Sequence, residues 1–231
     1  MRHRFPVTVV DGFYKNPKDV VKLANSFEYE PTNGSYPGTR TKPLDTLDDN
    51  FYQYCAGKFL SAYFDLSIVE ADLKVMTQFQ KVSPFEKDYL NQGWIHRDHG
   101  MLCAGVVYLD EIADPNSGTS IYEAINEEAE ILILGLEEKT KLYRDGIEVD
   151  TYKEELDKNN GQFYESVRVQ NKFNRLIAYD TQYPHGASSH STKHGERLTQ
   201  VFFLGQLGTS HGNWPEQRFE AAERNSLTDC I

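Results

Sequence analysis

The sequence has 231 residues, and 35 Asp and Glu against 24 Lys and Arg give it a formal net charge of −11. An acidic surface repels phosphate backbones, so nucleic acid is disfavoured as a partner. Hydrophobic residues make up 39% of the chain and aromatic residues 13%, which indicates a folded globule rather than a disordered tail. The length is sufficient for a buried core, and we expect a single domain over residues 1–231.

The cysteines Cys55, Cys103 and Cys230 are far apart and form no C-x-x-C pair, which is typical of a reducing compartment. The first residues lack the apolar core of a secretory signal. The apolar stretch Ile131–Leu136 has six residues and is far too short to span a membrane. We therefore expect a cytoplasmic protein without a membrane partner.

The first seventy residues are predicted to be largely helical. A short strand over 7–14 is interrupted at Gly12, and a helix then begins at Pro17 with Asn16 as its cap. Residues 31–43 hold two Gly and three Pro and are predicted to form a loop. A second helix should cover about 45–63, because apolar residues recur there at helical spacing. We interpret residues 1–70 as a helical buttress.

From residue 71 onward the sequence changes to short runs of β-forming residues separated by turns. The predicted strands cover residues 74–82, 101–110, 118–122, 166–170, 175–180 and 197–205. Many short strands at this spacing favour a double-stranded β-helix, or jelly roll. The predicted fold class is therefore α+β, mainly β, with a jelly-roll core over 71–231 and the N-terminal helices packed on one of its sheets.

The segment over about 121–160 differs from its surroundings. It holds 12 Asp and Glu against 5 Lys and Arg, so it carries −7 of the total charge of −11. We predict an insertion between strands here, with one helix over 123–144. Because the acidic residues are concentrated in this segment, the net charge does not describe the rest of the chain. The net charge is therefore a weaker argument against nucleic acid as a partner.

Two histidines and one aspartate are the candidate metal ligands. His96 and Asp98 form an H-x-D motif, and residues two apart on an extended strand point to the same face. His185 follows the predicted strand over 175–180 and a turn, which makes it the best third ligand. Two His and one carboxylate occupy one face of an ion and leave adjacent positions open, a set that suits non-haem Fe(II).

Three other histidines compete for these roles. His99 would point to the face opposite the H-x-D motif, whereas His190 and His194 are rivals of His185. We expect the polar run over 188–194 to be a loop at the rim of the site.

The last predicted strand begins with a candidate anion clamp. Arg197, Thr199, Val201 and Phe203 share one face of this strand, because side chains alternate along it. A guanidinium with a hydroxyl two residues further on is suited to hold a carboxylate.

The order His96-x-Asp98, His185 and Arg197-x-Thr199 resembles the motif pattern of the Fe(II)/2-oxoglutarate-dependent dioxygenase superfamily, especially its prolyl-hydroxylase-like branch. The resemblance implies that the two histidines and the aspartate bind Fe(II). It also implies that the Arg-x-Thr pair binds the distal carboxylate of 2-oxoglutarate. With O2 as the second cosubstrate, the implied reaction is a hydroxylation that releases succinate and CO2.

The resemblance covers roughly residues 74–205 and adds two further cosubstrate contacts. The strand over 104–110 is similar to the family strand that carries a tyrosine on 2-oxoglutarate, which implies this role for Tyr108, although Asp110 replaces the usual Asn. An earlier tyrosine of the branch is absent, and Gln80 is the residue that would take its place.

The sequence leaves the substrate open. The branch suggests a protein or peptide side chain, and the acidic segment over 121–160 would suit a basic protein, but nucleic-acid bases and small metabolites are also used in the superfamily. Trp94 either stacks on the substrate or is buried, which is the commoner role of such a residue. Two alternatives are a cupin-type metalloenzyme and a non-catalytic jelly-roll module, and in the first of these Arg197 has no evident role.

Overall fold

The computed structural model describes residues 7–32, 36–64, 73–147, 149, 151–192 and 195–206. The strands within these residues are β1 (Thr8–Asp11), β2 (Glu30–Pro31), β3 (Thr39–Arg40), β4 (Leu73–Val82), β5 (Met101–Tyr108), β6 (Thr119–Ala124), β7 (Phe163–Val169), β8 (Arg175–Asp180), β9 (His185–Ala187) and β10 (Arg197–Gln206). The α-helices are α1 (Pro17–Ser26), α2 (Leu44–Leu47), α3 (Asp49–Leu60), α4 (Leu136–Tyr143) and α5 (Tyr152–Asn160), and a 3₁₀ turn covers Asp88–Asn91.

The strands form two antiparallel sheets, so the prediction of a mainly β chain is confirmed. The larger sheet has seven strands in the order β1-β8-β5-β10-β4-β3-β2, and the smaller sheet has three in the order β7-β6-β9. β10 lies in the middle of the larger sheet, between β5 and β4. The double-stranded β-helix and the division into buttress, core and insertion stay predictions.

The N-terminal helices pack on one face of the larger sheet, as expected. Phe59 of α3 stacks on Phe202 of β10 with the ring centroids 4.9 Å apart. The single helix predicted over 45–63 is two helices, because the Asp48 carboxylate accepts a hydrogen bond from the Phe51 N–H at 3.0 Å and caps α3. Asn16 precedes α1 without a side-chain cap bond.

Alternation along β10 divides its side chains between the two faces of the larger sheet. Leu198, Phe202 and Leu204 join the main hydrophobic core beneath the helices. The intervening residues on the other face line a cavity: Arg197, Thr199, Val201 and Phe203. The smaller sheet covers this second face, where Ile121 and Val169 pack with Tyr108 and Ile177 of the larger sheet.

Within the segment over 31–43, Pro31 of β2 and both residues of β3 belong to the larger sheet, so the prediction of a loop is wrong at these positions. β3 pairs with β4 and brings Arg40 opposite Gln80. This approach depends on Gly38, which has a φ of 77° and where a Cβ would collide with the carbonyl oxygen of Lys81. The pairing of β3 with β4, which lies far along the chain, therefore overrides the local Gly and Pro content.

The helix predicted over 123–144 is also wrong in its extent. Its first residues end β6, where Glu123 pairs with Tyr164 of β7, and α4 begins only at Leu136. α4 and α5 enclose a small hydrophobic cluster that includes Leu142, Tyr152 and Trp94. Of the helices in the described ranges, none combines the length and the apolar character needed to cross a membrane.

Candidate metal centre and its cavity

A backbone bridge brings two of the predicted ligands side by side. His96 and His185 exchange two antiparallel N–H to O=C hydrogen bonds of 2.9 Å each, and their ring centroids lie 4.5 Å apart. Gly93 permits this approach, because its N–H donates to the Ala187 carbonyl at 3.2 Å and a Cβ would collide with that oxygen. The chain before β5 and the start of β9 therefore present both imidazoles at one point.

Asp98 completes the cluster. Its backbone N–H donates to the Thr181 carbonyl at 3.3 Å, which holds the residue beside the end of β8. The carboxylate Oδ2 lies 3.2 Å from Nε2 of His185, and Oδ1 lies 3.6 Å from Nε2 of His96. One potential ligand atom from each residue lies within 4.8 Å of the other two. The structure thus brings together the three residues predicted from the sequence.

Both imidazoles are oriented for metal binding. Nδ1 of His96 lies 2.8 Å from the Trp94 carbonyl oxygen, and Nδ1 of His185 lies 2.8 Å from the Tyr183 carbonyl oxygen. Because a carbonyl only accepts hydrogen bonds, Nδ1 of each ring carries a proton, and Nε2, which faces the Asp98 carboxylate, is the nitrogen that a metal can use in place of a proton. Two imidazole nitrogens and one carboxylate fit a divalent ion of the Fe(II) type.

The electrostatic environment keeps the first two ligands of the motif unprotonated. The His96 side chain is 45% exposed, and it borders the cavity. Desolvation of its ring by the surrounding protein, together with the neighbouring His185, lowers the pKa of His96 to about 4. Burial opposes ionisation of Asp98, but His185, His96 and Arg40 outweigh it and lower the pKa of that carboxyl. At neutral pH His96 is neutral and Asp98 is ionised, as metal ligands must be.

The cluster borders a cavity of about 370 Å³ that is lined by residues of both sheets. This volume falls within the range of small-molecule sites. The larger sheet contributes an apolar wall of Val106, Val201 and Phe203, and α4 contributes Lys139 and Tyr143.

Arg197 is a buried cation that lacks an acidic partner within the described part of the chain. It is 6% exposed, its Nε has no hydrogen-bond partner, and it takes part in none of the ion pairs found there. The carboxylate of nearby Asp110 instead accepts hydrogen bonds from the Leu198 N–H and the Asn171 amide. A buried charge without a partner is unfavourable, so this arrangement is suited to an external anion.

Two of the predicted cosubstrate contacts share this cavity. Thr199 is buried and lines it two residues from Arg197. Gln80 also lines it, but its Oε1 accepts a hydrogen bond from Arg40 Nη2 at 3.2 Å and its Nε2 donates to the Pro37 carbonyl at 2.8 Å. The Gln80 amide is therefore engaged at both ends by the protein.

Tyr108 lies behind the cavity wall rather than in it. The residue is fully buried, and its hydroxyl donates to Thr119 Oγ1 at 2.7 Å. The guanidinium carbon of Arg197 lies 5.6 Å from the centre of the Tyr108 ring. This placement supports Arg197 from below, and a direct contact of Tyr108 with a cosubstrate stays a prediction.

The remaining candidate residues fall into different positions. His99 is exposed and outside the cluster. His190 lines the cavity with a buried Nδ1 that has no partner, and burial together with Arg197 lowers its pKa to about 3. Trp94 is buried and bordering the cavity, and His194 lies outside the described residues.

The sequence did not point to several residues that line the cavity, among them Tyr36, Arg40, Lys139 and Tyr143. Arg40 belongs to a two-residue strand inside a segment rich in Gly and Pro, so no local pattern identifies it. Lys139 and Tyr143 lie on α4 of the acidic segment, and only the fold of that segment over the cavity brings them to the site.

Comparison with known sequences gives a family but no characterised relative. The sequence model of a family of unknown function, DUF6445, matches residues 1–200. No curated protein matches the sequence.

Comparison with solved structures finds several proteins of similar fold. HygX from Streptomyces hygroscopicus with nickel and 2-oxoglutarate bound is 14% identical with a TM-score of 0.53, and the match covers 90% of this chain and 85% of HygX. The HygX structure that also holds hygromycin B has the same identity and coverage and a TM-score of 0.52.

EvdO2 from Micromonospora carbonacea var. aurantiaca is 11% identical with a TM-score of 0.54, over 90% of this chain and 89% of EvdO2. SnoN, a non-haem alpha-ketoglutarate-dependent epimerase from nogalamycin biosynthesis, is 14% identical with a TM-score of 0.50, over 92% of this chain and 89% of SnoN. At such low identities the likeness establishes a shared fold.

Proposed function

This chain belongs to the DUF6445 family, and we propose that it is an Fe(II)- and 2-oxoglutarate-dependent oxygenase that hydroxylates a small molecule and releases succinate and CO2. The observation that carries the proposal is the coincidence of two features in one cavity. A His-Asp-His cluster suited to a metal lies beside a buried arginine that lacks an anion.

The metal would be held by Nε2 of His96, Nε2 of His185 and the carboxylate of Asp98. The carbonyls of Trp94 and Tyr183 fix the two rings, so the ligand set is preorganised before the ion arrives. When bound, Fe(II) and 2-oxoglutarate would supply the oxidative decarboxylation that activates O2 for hydroxylation.

Arg197 and Thr199 would hold the distal carboxylate of 2-oxoglutarate. Charge-assisted hydrogen bonds to a guanidinium are strong and directional, and the buried position of both residues excludes competing water. The alternatives of a cupin-type site and a non-catalytic module assign no partner to Arg197, so they leave a buried charge uncompensated.

Several features support a small substrate over the protein or peptide side chain expected from the prolyl-hydroxylase-like resemblance. The cavity has a volume of about 370 Å³, within the range of small-molecule sites, and Lys139 and Tyr143 of α4 are among its lining residues. HygX, which has a similar fold, has been solved with hygromycin B bound. Hydroxylation itself comes from the motif resemblance, since SnoN shares the fold and is an epimerase. A cytoplasmic location accords with the free thiols of Cys55 and Cys103.

The test is substrate-independent turnover of 2-oxoglutarate. Purified protein with Fe(II), ascorbate, 2-oxoglutarate and O2 should form succinate slowly, and Arg197→Met should lower this rate by about 100-fold because the charged anchor is lost. Arg175→Met, which removes an arginine outside the cavity, is the matched control. Absence of succinate from the wild-type protein, or equal rates in the wild type and Arg197→Met, would contradict the proposal.

A further inference from the structure

A second arginine, the partly buried Arg40, lines the same cavity, and apart from its effect on the pKa of Asp98 it has no role in the proposed reaction. The guanidinium carbon of Arg40 lies 3.7 Å from the centre of the Tyr36 ring and 5.7 Å from that of Phe203. Its Nη2 donates to Gln80, whereas its Nε is buried without a partner. Burial lowers the pKa of Arg40 to about 10, so the group is a desolvated cation at neutral pH.

Strand register places Arg40 at the end of a polar row that crosses the wall of the cavity. Arg40 is paired with Gln80, Gln80 with Thr199, and Thr199 with Tyr108, and paired residues of antiparallel strands share a face. Two strand spacings separate the backbones of Arg40 and Thr199 by about 10 Å. Arg197 lies two residues beyond Thr199 along β10, so the two arginines enter the cavity from different points of its wall.

The charge of the cavity exceeds what 2-oxoglutarate would neutralise. Of its two carboxylates, one is assigned to the metal and the other to Arg197. Arg40 remains, together with Lys139 of α4, and the carboxylate that lines the cavity, Asp98, is the proposed metal ligand. A cavity with surplus positive charge in a protein of net charge −11 favours an anionic second ligand.

We propose that Arg40 binds a carboxylate of the primary substrate, so that the enzyme acts on an acidic small molecule. The guanidinium is already stacked on Tyr36 and bonded to Gln80, so little conformational freedom is lost when it pairs with a planar carboxylate. Gln80 acts as a positioning residue for Arg40. The assignment of the carboxylate to a substrate rests on the proposed function, whereas its binding to Arg40 does not.

The test follows the Nε–H groups of the arginines by NMR in protein labelled with ¹⁵N at arginine Nε. The protein is held with Zn(II), a redox-inert substitute for Fe(II), and saturating 2-oxoglutarate. It is then titrated with phenylacetate or with phenylacetamide, which has the same shape without the charge. The Arg40 signal is identified by its contact with the Tyr36 ring and by its loss in Arg40→Lys.

We expect 2-oxoglutarate to shift the Arg197 signal and phenylacetate to shift the Arg40 signal saturably, with no response to phenylacetamide. Arg175 is the internal control, because its Nε is already bonded to Asp11 at 2.6 Å. Gln80→Glu places a carboxylate beside Arg40 and should weaken phenylacetate binding about tenfold or more by occupying the guanidinium.

Three results would overturn the proposal: an Arg40 signal that ignores phenylacetate, one that responds equally to the amide, or one that moves with 2-oxoglutarate alone. Failure of the proposed function has a different signature, because then 2-oxoglutarate leaves the Arg197 signal unmoved whatever phenylacetate does to Arg40.

Discussion

The two faces of the larger sheet use the same strands for opposite purposes. On the helix face, both ends of the Gln200 amide are hydrogen-bonded. Its Oε1 accepts a hydrogen bond from the Tyr14 hydroxyl at 2.5 Å, and its Nε2 donates to Thr77 Oγ1 at 3.0 Å. On the cavity face, three residues away along β10, Arg197 has an unpartnered Nε, and Arg40 on β3 has another.

This difference separates stability from function within one element. Buried polar groups in a protein core are normally satisfied, so unsatisfied charges that gather around one cavity mark a place where a ligand completes the structure. The buried polar groups of the helix face are satisfied by the protein itself, whereas those of the cavity face need a ligand to satisfy them.

The largest expected effect concerns the metal. Asp98→Ala should weaken binding of Mn(II), an air-stable substitute for Fe(II), by about 1,000-fold or more, since loss of a mere outer-shell partner already costs up to 100-fold. Isothermal titration calorimetry measures the affinity. His99→Ala, one residue away and outside the cluster, should bind as the wild type does, and equal weakening in both variants would show that the cluster is not the site.

The next effect compares adjacent phenylalanines on the two faces. Phe202 is fully buried against Phe59, so Phe202→Ala should lower the free energy of unfolding by about 3–5 kcal/mol. Phe203 lines the cavity, so part of its ring is not packed against protein atoms, and Phe203→Ala should have no more than about half that effect. Urea unfolding measures both, and equal losses would contradict the contrast between the faces.

Removal of a buried charge that has no ion-pair partner should not lower the free energy of unfolding. Arg197→Met should leave the free energy of unfolding of the ligand-free protein unchanged or raise it by about 1 kcal/mol, because a buried charge without a partner disappears. Arg175→Met should instead lower it by up to about 1 kcal/mol, because the guanidinium pairs with Asp11 at a partly exposed site. Marked destabilisation by Arg197→Met in thermal unfolding would mean that the guanidinium already has a partner.

The remaining effect is a pH dependence. Folding lowers the pKa of His190 from its ordinary 6.5 to about 3. Between pH 3 and pH 6.5 the imidazole is therefore protonated in the unfolded chain and neutral in the folded chain. Stability of the metal-free protein should therefore fall as the pH drops from 6.5 towards 3, by no more than about 1.4 kcal/mol per pH unit for this residue. His190→Gln should flatten the fall in the urea midpoint, and an unchanged slope would contradict the assignment.

The sequence predicted those parts of the site that depend only on the alternation of side chains along an extended chain. His96 and Asp98 lie two apart, and Arg197 and Thr199 share a face of β10, so simple periodicity placed each pair correctly on one side of the chain. The partnership with His185 followed from its place at a strand end, where a backbone bridge joins it to His96.

What the sequence could not predict depends on pairing over long distances. Arg40 reaches the cavity only because a two-residue strand joins β4, and the Tyr108 hydroxyl is taken by Thr119 of the other sheet. Similarly, Glu123 has a helix-forming neighbourhood, yet it pairs with Tyr164 in the smaller sheet. In each case tertiary contacts override local propensity.

The most direct measurement of the central claim is the visible absorption of the protein after anaerobic addition of Fe(II) and then 2-oxoglutarate. Binding of the 2-oxo acid to an iron ion held by His96, Asp98 and His185 should produce a weak charge-transfer band. The band should persist in His99→Ala and be lost in Asp98→Ala. No band in the wild-type protein, or one of equal strength in Asp98→Ala, would contradict the account.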